Sequence, residues 1–205
     1  MMKPILAGVH VSRETIDRLE VHRDLLKKWN SKINLVSPGT IENSWERHVC
    51  DSAQLVSHIY EEVERWIDLG SGGGFPGLIV AAIVKEKYPE TRVTLVESDQ
   101  RKCAFLRVAG DAMDLDVQVI PKRIENLPPS DSQILSARAL APLEKLLSFA
   151  SLHLNHKGIA LLPKGQNWQK EVVEAQRRWR FKYKNHTSVT DPKAAILEIR
   201  DINHV

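Results

Sequence analysis

The stretch that decides the fold is residues 66–77, which read Trp-Ile-Asp-Leu-Gly-Ser-Gly-Gly-Gly-Phe-Pro-Gly. Apolar residues with strand propensity come first, a glycine-rich turn follows, and Pro76 is suited to the first turn of a helix. Glycine lets the backbone approach a ligand closely and adopt a positive φ, which costs other residues about 1–2 kcal/mol. The stretch therefore predicts a strand, a ligand-binding turn and a helix in succession.

The register of the glycines indicates which ligand the turn binds. Gly72, Gly74 and Gly77 match the spacing of a dinucleotide-binding fingerprint, which on its own is weak evidence. That fingerprint begins directly after the strand, whereas counting from Gly70 places Phe75 where its last glycine is needed. The pattern looks instead like motif I of the class I methyltransferases, which predicts S-adenosylmethionine as cofactor, with contacts at Asp68, Gly70, Gly72 and Gly74. A nicotinamide enzyme is the least favoured alternative.

Strand and helix patterns alternate on the C-terminal side of the turn. Short strands are predicted at residues 65–69, 92–97, 117–120, 133–136 and 158–162. Such alternation indicates parallel strands joined by right-handed crossovers, with helices on both faces of the sheet. Residues 180–189 and 195–200 are predicted to close the sheet as an antiparallel pair. The fold class is therefore α/β, a class I (Rossmann-like) methyltransferase with a doubly wound, mostly parallel seven-stranded sheet.

The N-terminal part of the chain has a different pattern. Residues 12–30 carry apolar side chains at helical spacing, with Ser12 placed as N-cap. A turn at residues 37–39 precedes a second helical pattern that runs from Ile41 to about Tyr60. We therefore predict two parts, a helical N-terminal extension over residues 1–64 and a cofactor-binding domain over residues 65–205 that it packs against.

Composition excludes several classes of protein. With 205 residues, 42% of them hydrophobic and 27% charged, the chain is of ordinary globular composition, and no stretch approaches the roughly 20 apolar residues of a membrane-spanning helix. We expect a cytoplasmic protein without membrane contact. Cys50 and Cys103 are too few for a disulfide framework and lack metal-site spacing, so we expect reduced cysteines and no metal. A net charge of +3 is too small to indicate nucleic acid by itself.

Two further positions are candidates for cofactor contacts. Glu97 ends the second predicted strand of the domain, where a carboxylate can accept hydrogen bonds from both ribose hydroxyls. Ile124 and Glu125 follow the third strand, where this fold usually holds the adenine, with Ile124 as the packing residue. The alternatives are a solvated Glu97 and an Ile124 that belongs to the core.

Missing motifs narrow the choice of methyl acceptor. Amino-directed nucleic-acid methyltransferases carry an Asn/Asp-Pro-Pro-aromatic motif after the fourth strand, but residues 136–142 read Ser-Ala-Arg-Ala-Leu-Ala-Pro. Pyrimidine C5 methylation needs a cysteine nucleophile in that region, and neither Cys50 nor Cys103 lies there. A ring nitrogen such as guanine N7 carries no proton to remove, so its methylation needs orientation more than a general base. No residue is assigned as a catalytic group.

The distribution of charge favours a nucleic-acid acceptor. Residues 157–184 contain eight basic and two acidic side chains, interleaved with Trp168, Trp179, Phe181 and Tyr183. Phosphate contacts combined with aromatic stacking commonly hold single-stranded RNA. A solvated basic face over core aromatics is an equally good interpretation. Basic residues of the N-terminal extension have the same ambiguity, namely Lys27, Lys28, Lys32 and Arg47.

The motifs together resemble one family over nearly the whole chain, the bacterial 16S rRNA guanine-N7 methyltransferases historically called glucose-inhibited division protein B. The matching segments, in order, are 29–36, 47–52, 68–77, 97–107, 123–125, 136–139 and 162–165. The chain differs where many relatives have Thr and Pro at the positions of Ser71 and Gly73, and where many place Arg directly after Ser136. The resemblance implies cofactor contacts at Gly70, Phe75, Ile124, Glu125 and Arg138, and methylation of a guanine in the decoding-region loop of 16S rRNA.

Several site residues keep two interpretations. A guanidinium beside a cationic sulfonium is repelled unless it faces an anion, so we expect Arg138 to bind the cofactor carboxylate or the RNA; the alternative is an ion pair between the two parts of the chain. His48 and Asp51 either line the substrate mouth or tie the extension to the core. Candidates for RNA contact are Arg47, His48, Lys164, Arg177 and Arg178.

The expected partner is 16S rRNA, the small ribosomal subunit or an assembly intermediate, bound by a monomer. Since A-form RNA hides guanine N7 in a deep, narrow groove, the acceptor must be unpaired or flipped out. The alternative functions are a small-molecule or protein methyltransferase of the same fold, and an inactive adenosine-binding module.

Overall fold

The computed structural model describes residues 4–59 and 63–205. Its strands, in chain order, are β1 (Ile5–Leu6), β2 (Val9–His10), β3 (Arg65–Leu69), β4 (Arg92–Val96), β5 (Val117–Ile120), β6 (Ser132–Ser136), β7 (Leu154–Lys164), β8 (Trp179–Thr187) and β9 (Ala195–His204). Its α-helices are α1 (Arg13–Asn30), α2 (Asp51–Ala53), α3 (Gly77–Lys87), α4 (Gln100–Ala112), α5 (Leu143–His153) and α6 (Trp168–Ala175).

Seven strands form the central sheet in the order β5-β4-β3-β6-β7-β9-β8. Strands β3 to β7 pair in parallel, while β9 runs antiparallel to both β7 and β8. This order confirms the predicted doubly wound, mostly parallel sheet with a closing antiparallel pair. Strand order reverses direction between β3 and β6, and ligands of such sheets bind in the crevice outside the carboxyl ends of the strands at that point.

Strand positions follow the predicted ones closely, with the largest difference in β7. The apolar pattern predicts a strand over residues 158–162, whereas β7 spans Leu154–Lys164. Its first residues include exposed His156 and Lys157, which carry no apolar signal because that end of the strand lies at the protein surface. The sheet thus extends beyond the part that the hydrophobic core marks in the sequence.

Helices cover the sheet in two apolar layers. Buried side chains of α1, α3 and α4 form one layer, and those of α5 and α6 form the other. Helix α3 is buried from Gly77 to Val84, so it lacks a polar face over that length. It follows the glycine-rich turn directly, and its burial therefore fixes the position of that turn.

The N-terminal extension is only partly as predicted. Helix α1 begins after Ser12, whose hydroxyl accepts a hydrogen bond from Thr15 N, and it packs against α3 and α4. Residues 5–10 form a two-stranded hairpin that the prediction of an all-helical extension missed. Its strands have two residues each, too short to show an alternating pattern. The division of the chain after residue 64 stays a prediction.

The second predicted helix is wrong as a regular helix. Between residues 38 and 58 the chain forms 3₁₀ turns at Pro38–Thr40 and Gln54–His58, a π-helical segment at Trp45–Cys50 and the short helix α2. Asp51 N donates to Glu46 O, and Ser52 Oγ donates to His48 O at 2.6 Å, a side-chain bond that competes with the regular ladder. The predicted end near Tyr60 lies outside the described residues. Within the described ranges, no helix is both long and apolar enough to cross a bilayer.

Candidate functional site

A cavity of about 1530 Å³ opens at the carboxyl ends of β3, β4 and β6. Small-molecule sites usually measure about 300–1000 Å³, so this one has room for a cofactor and part of a second substrate. Its walls come from the glycine-rich turn, the loops after β4, β5, β6 and β7, the irregular helical segment of the extension, and the turn between β8 and β9. The cavity therefore joins both predicted parts of the chain.

The glycine-rich turn forms the floor of this cavity. Gly70 and Gly72 have φ of +69° and +51°, a region that disfavours other residues. Gly70 N and Ser71 N both donate to Val96 O, at 2.8 and 3.1 Å, which anchors the turn to the end of β4. The nearest atom to a Cβ placed on Gly72 would be Gly70 O, at 3.8 Å, so the backbone here is open to a ligand.

Asp68 stabilises the turn from beneath. Its side chain is fully buried; Oδ1 accepts from Ser136 Oγ at 2.7 Å and Oδ2 accepts from Gly77 N at 3.2 Å. Burial raises the pKa of Asp68 to about 6. Among the described residues that line the cavity, neither Asp68 nor Gly74 appears. Their direct contact with a cofactor stays a prediction, while the bonds of Asp68 tie β3 to β6 and to the start of α3.

Glu97 lies directly after β4 on the wall of the cavity, with 9% of the residue exposed. Its Oε2 accepts from Gly72 N at 3.0 Å, and its Oε1 accepts from Ser98 N and Asp99 N at 2.7 and 2.8 Å. A carboxylate has about four acceptor positions, so about one remains for a ligand hydroxyl. Three backbone amides thus hold this carboxylate in a fixed orientation at the position expected for ribose recognition.

The wall after β5 carries the predicted adenine contacts. Ile124 and Glu125 begin a 3₁₀ turn, and both line the cavity. Ile124 is buried in the core layer of α5 as well, so its two interpretations are compatible. Glu125 is exposed, and its Oε1 lies 3.2 Å from Lys145 Nζ. A backbone hydrogen bond at Glu125 lowers the pKa of this carboxyl, and the ion pair with Lys145 lowers it further. This wall presents an apolar side chain beside a charged rim.

Arg138 lies in the middle of the cavity wall, with 14% of its side chain exposed. Its Nη1 donates to Asp51 Oδ2 and to Arg47 O, both at 3.2 Å, and its Cζ lies 5.0 Å from the centroid of the Phe75 ring. The ion pair between the two parts of the chain, which the sequence left as an alternative, is therefore present. A guanidinium has five N–H donors, so donors remain beside this pair for a ligand carboxylate.

Two histidines of the extension contact the same region. His48 Nε2 lies 2.8 Å from Thr40 Oγ1, and burial, with Arg138 and Arg47 nearby, lowers the pKa of His48 to about 4. His22 is fully buried on α1, with its Nε2 2.8 Å from Gly73 O and its ring 4.9 Å from that of Phe75. Because a carbonyl only accepts, Nε2 of His22 carries the proton. The sequence prediction missed His22.

The predicted RNA-binding residues fall into two groups. Arg47, His48 and Lys164 line the cavity, and Lys164 Nζ lies 2.6 Å from Glu171 Oε2 while it donates to Ala141 O at 3.1 Å. Arg177 and Arg178 are exposed beyond the end of α6, outside the residues that line the cavity. Arg178 Nη1 lies 3.1 Å from Glu144 Oε1. The structure therefore brings together three of the five.

The aromatic residues of the basic stretch are mostly structural. Trp179 is 7% exposed and belongs to the core, with Trp168 and Phe181 packed against the same cluster. Tyr183, on the edge strand β8, is 39% exposed. Trp179 therefore cannot serve as a stacking platform, and the interpretation of core aromatics under a solvated basic face fits these residues better.

The turn between β8 and β9 is a part of the site that sequence reasoning missed. Residues 188–191 line the cavity, and Gln54 binds them from the extension: its Nε2 donates to Ser188 Oγ at 3.1 Å and its Oε1 accepts from Val189 N at 3.0 Å. Thr190 Oγ1 donates to Asp51 Oδ1 at 3.1 Å. These residues are more than 130 positions apart in the chain, so no local pattern could indicate the contact. Within the described ranges, no group of three or more His, Cys, Asp or Glu is arranged to hold a metal ion.

Known proteins share both the sequence and the fold of this chain. Residues 15–200 match the family model described as rRNA small subunit methyltransferase G. Two relatives bear the name ribosomal RNA small subunit methyltransferase G. That of Ruegeria sp. strain TM1040 is 53% identical over 95% of both chains, and that of Ruegeria pomeroyi is 49% identical over the whole of both chains. A methyltransferase structure from Aquifex aeolicus, described as SAM-dependent, is similar in fold, with a TM-score of 0.61 and 12% identity over 87% of this chain and 98% of that one.

Proposed function

The chain belongs to the rRNA small subunit methyltransferase G family, and on that premise we propose that it methylates N7 of a guanine in the decoding-region loop of 16S rRNA. S-adenosylmethionine is the methyl donor. The observation that carries the proposal is the cavity in which the glycine-rich turn, Glu97 and Arg138 meet at the reversal point of the sheet. The acceptor RNA is inferred from the family, and the cavity has room for the cofactor beside that RNA.

The residues present fit this cofactor. Glu97 has an acceptor position left for a ribose hydroxyl, Ile124 offers an apolar surface to the adenine, and the open backbone at Gly72 allows close approach. Arg138 can pair with the carboxylate of the methionine part. When bound, the cofactor supplies an electrophilic methyl group on a sulfonium. The chain's own residues bind and orient it and keep it apart from solvent.

Methylation of guanine N7 is compatible with a site in which no residue is assigned as a general base. Its in-plane lone pair can accept a methyl group without loss of a proton, so the acceptor needs placement rather than a base. His48, beside the cavity, is neutral at physiological pH because burial lowers its pKa to about 4. A neutral imidazole adds no positive charge next to a sulfonium. The proposed role of the protein is therefore to orient two reactants in a partly buried cavity.

RNA reaches the cavity through a basic surface. Arg47 and Lys164 lie at the cavity itself, and Arg177 and Arg178 extend the positive surface beyond α6. We propose that these side chains bind phosphates around an unpaired or flipped-out guanine, since N7 in a paired A-form helix is out of reach. Small-subunit particles or their assembly intermediates in the cytoplasm are the proposed substrate, and a monomer is the proposed active form.

The test is transfer of labelled methyl from S-adenosylmethionine to small-subunit particles from cells that lack the enzyme. Nuclease digestion of the product then identifies the modified nucleoside. Label in a single N7-methylguanosine of a loop would support donor, acceptor and position together. Cofactor binding without transfer to RNA would overturn the acceptor and favour a small-molecule or protein methyltransferase instead. Particles from wild-type cells, in which the site is already methylated, are the matched control.

A further inference from the structure

Asp51 connects three separate segments of the cavity wall. Its Oδ2 accepts from Arg138 Nη1 at 3.2 Å, and its Oδ1 accepts from Gln54 Nε2 at 2.9 Å and from Thr190 Oγ1 at 3.1 Å. Both partners of the ion pair are largely enclosed, with 14% of the Arg138 side chain and 18% of the Asp51 side chain exposed. Both line the same cavity as Gly70 and Glu97.

The proposed cofactor would bring a second positive charge into the cavity that Arg138 lines. S-adenosylmethionine carries a positive sulfonium, which a guanidinium on the wall of the same cavity would repel. Burial lowers the pKa of Arg138 from its ordinary value, while the contact with Asp51 opposes that effect. A guanidinium is not deprotonated in proteins, so Arg138 adds a positive charge to the cavity, and Asp51 is the carboxylate in direct contact with it.

We infer that Asp51 is the counter-charge that lets the cavity accept the cationic cofactor and favour it over the neutral thioether product. The inference rests on the proposed function. S-adenosylhomocysteine has the same adenosine, ammonium and carboxylate groups as S-adenosylmethionine but lacks the sulfonium charge. Both ligands would make the same contacts with Glu97 and Ile124, because they share the adenosine group. The ratio of their affinities therefore reports the electrostatic potential at the sulfur.

Asp51 is better placed for this role than the other carboxylate near Arg138. The charge of Asp68 also acts on Arg138, but the Asp68 oxygens accept from Ser136 and Gly77 behind the turn, and burial raises its pKa to about 6. Asp51, in contrast, is in direct contact with the guanidinium at the cavity wall. Its hydrogen bonds to Gln54 and Thr190 hold the carboxylate there.

The experiment is calorimetric titration of the full chain with S-adenosylmethionine and with S-adenosylhomocysteine. Asp51→Asn keeps the size of the side chain and removes its charge. We expect the affinity ratio to shift toward S-adenosylhomocysteine by at least about fivefold, because the lost negative charge acts on the sulfonium and not on the neutral thioether. Asp131→Asn removes the charge of a carboxylate that pairs with Arg65 and does not line the cavity; it is the matched control and should leave the ratio unchanged.

Arg138 provides an independent check that does not depend on folding of the Asp51 variant. Arg138→Gln should weaken both ligands, because both carry a carboxylate, yet shift the ratio toward S-adenosylmethionine. Asp51→Asn combined with Arg138→Gln removes both charges and should bring the ratio closer to that of the wild type than either single variant does. A buried unpaired charge destabilises more than a neutral pair, so the double variant is also the safer one to fold.

The outcomes separate this inference from the proposed function. If the wild type binds neither ligand, the cofactor assignment fails and the inference fails with it. If the wild type binds both and the ratio is the same in every variant, the cofactor assignment stands and Asp51 is only a structural link. A ratio that also moves in Asp131→Asn would likewise overturn the inference, because that carboxylate does not line the cavity.

Discussion

At the scale of single residues, the most direct prediction concerns the contribution of Glu97 to cofactor affinity. Replacing Glu97 by Ala removes hydrogen bonds to a charged acceptor, each worth about 1.5–3 kcal/mol. It also takes away the acceptor that Gly72 N, Ser98 N and Asp99 N share, which loosens the turn. The affinity for S-adenosylmethionine should fall at least about tenfold. Isothermal titration calorimetry measures the dissociation constant of the wild type and of the variant.

The control for Glu97 is another carboxylate outside the cavity. Glu144 lies on α5 and pairs with Arg178, so Glu144→Ala should leave the dissociation constant as it is in the wild type. An unchanged constant in Glu97→Ala would instead show that this carboxylate does not bind the ribose.

A second prediction for a single residue concerns His22 and the pH dependence of folding stability. Burial lowers the pKa of His22 to about 4 in the folded chain, against an ordinary value of 6.5. Between these values the unfolded chain binds more protons than the folded one, so stability is lost as pH falls, by up to about 3 kcal/mol for this group. His22→Gln keeps an amide donor for Gly73 O but does not titrate. Urea unfolding at pH 7.5, 6 and 5 should therefore show a shallower loss for the variant; parallel losses would contradict the assignment.

At the scale of elements, the corner between α6 and β8 is predicted to bind RNA without touching the cofactor. Arg177 and Arg178 are exposed there and lie outside the cavity lining. Arg177→Ala combined with Arg178→Ala should weaken rRNA binding and reduce the log-log salt slope by about 0.7 for each phosphate that the protein no longer binds. The affinity for S-adenosylmethionine should stay as it is.

The comparison for this corner is a basic residue at another surface. Lys87 is exposed at the end of α3, and Lys87→Ala removes a positive charge from the molecule without changing the corner. Filter binding at several salt concentrations measures both variants. An equal effect of Lys87→Ala would mean that net charge, and not this element, attracts the RNA.

At the scale of the whole molecule, binding of RNA should depend steeply on salt. If about six phosphates are neutralised, the slope of log affinity against log salt is about −4 for single-stranded RNA. A small neutral acceptor would give almost no slope. Perfectly paired RNA should not be methylated, because N7 then lies in a deep and narrow groove. Methyl transfer to a fully paired duplex at the rate of a loop would contradict the need for an exposed base.

Much of the sheet could be predicted because strand signals are local. Residues 65–69 are a strand as expected, since a short apolar run is typical of a buried parallel strand, and the half-exposed edge strand at residues 117–120 also lies where it was predicted. The irregular segment around His48 could not be predicted, because its apolar residues recur at helical spacing while its hydrogen bonds depend on side chains such as Ser52. His22 lies at helical spacing from buried Leu19 and Leu26, a signal that could have found it.

The sequence alone determined the class of fold, the turn over residues 70–77 and the family, because each depends on residues that are close together in the chain or on motifs in a fixed order. Only the tertiary structure decided that Arg138 pairs with Asp51, that His22 holds the carbonyl of Gly73, and that the turn at residues 188–191 belongs to the cavity. These contacts join segments about 50 to 140 residues apart. The packing of the whole chain determines which distant side chains come into contact, so these contacts cannot be predicted from the local spacing of residues.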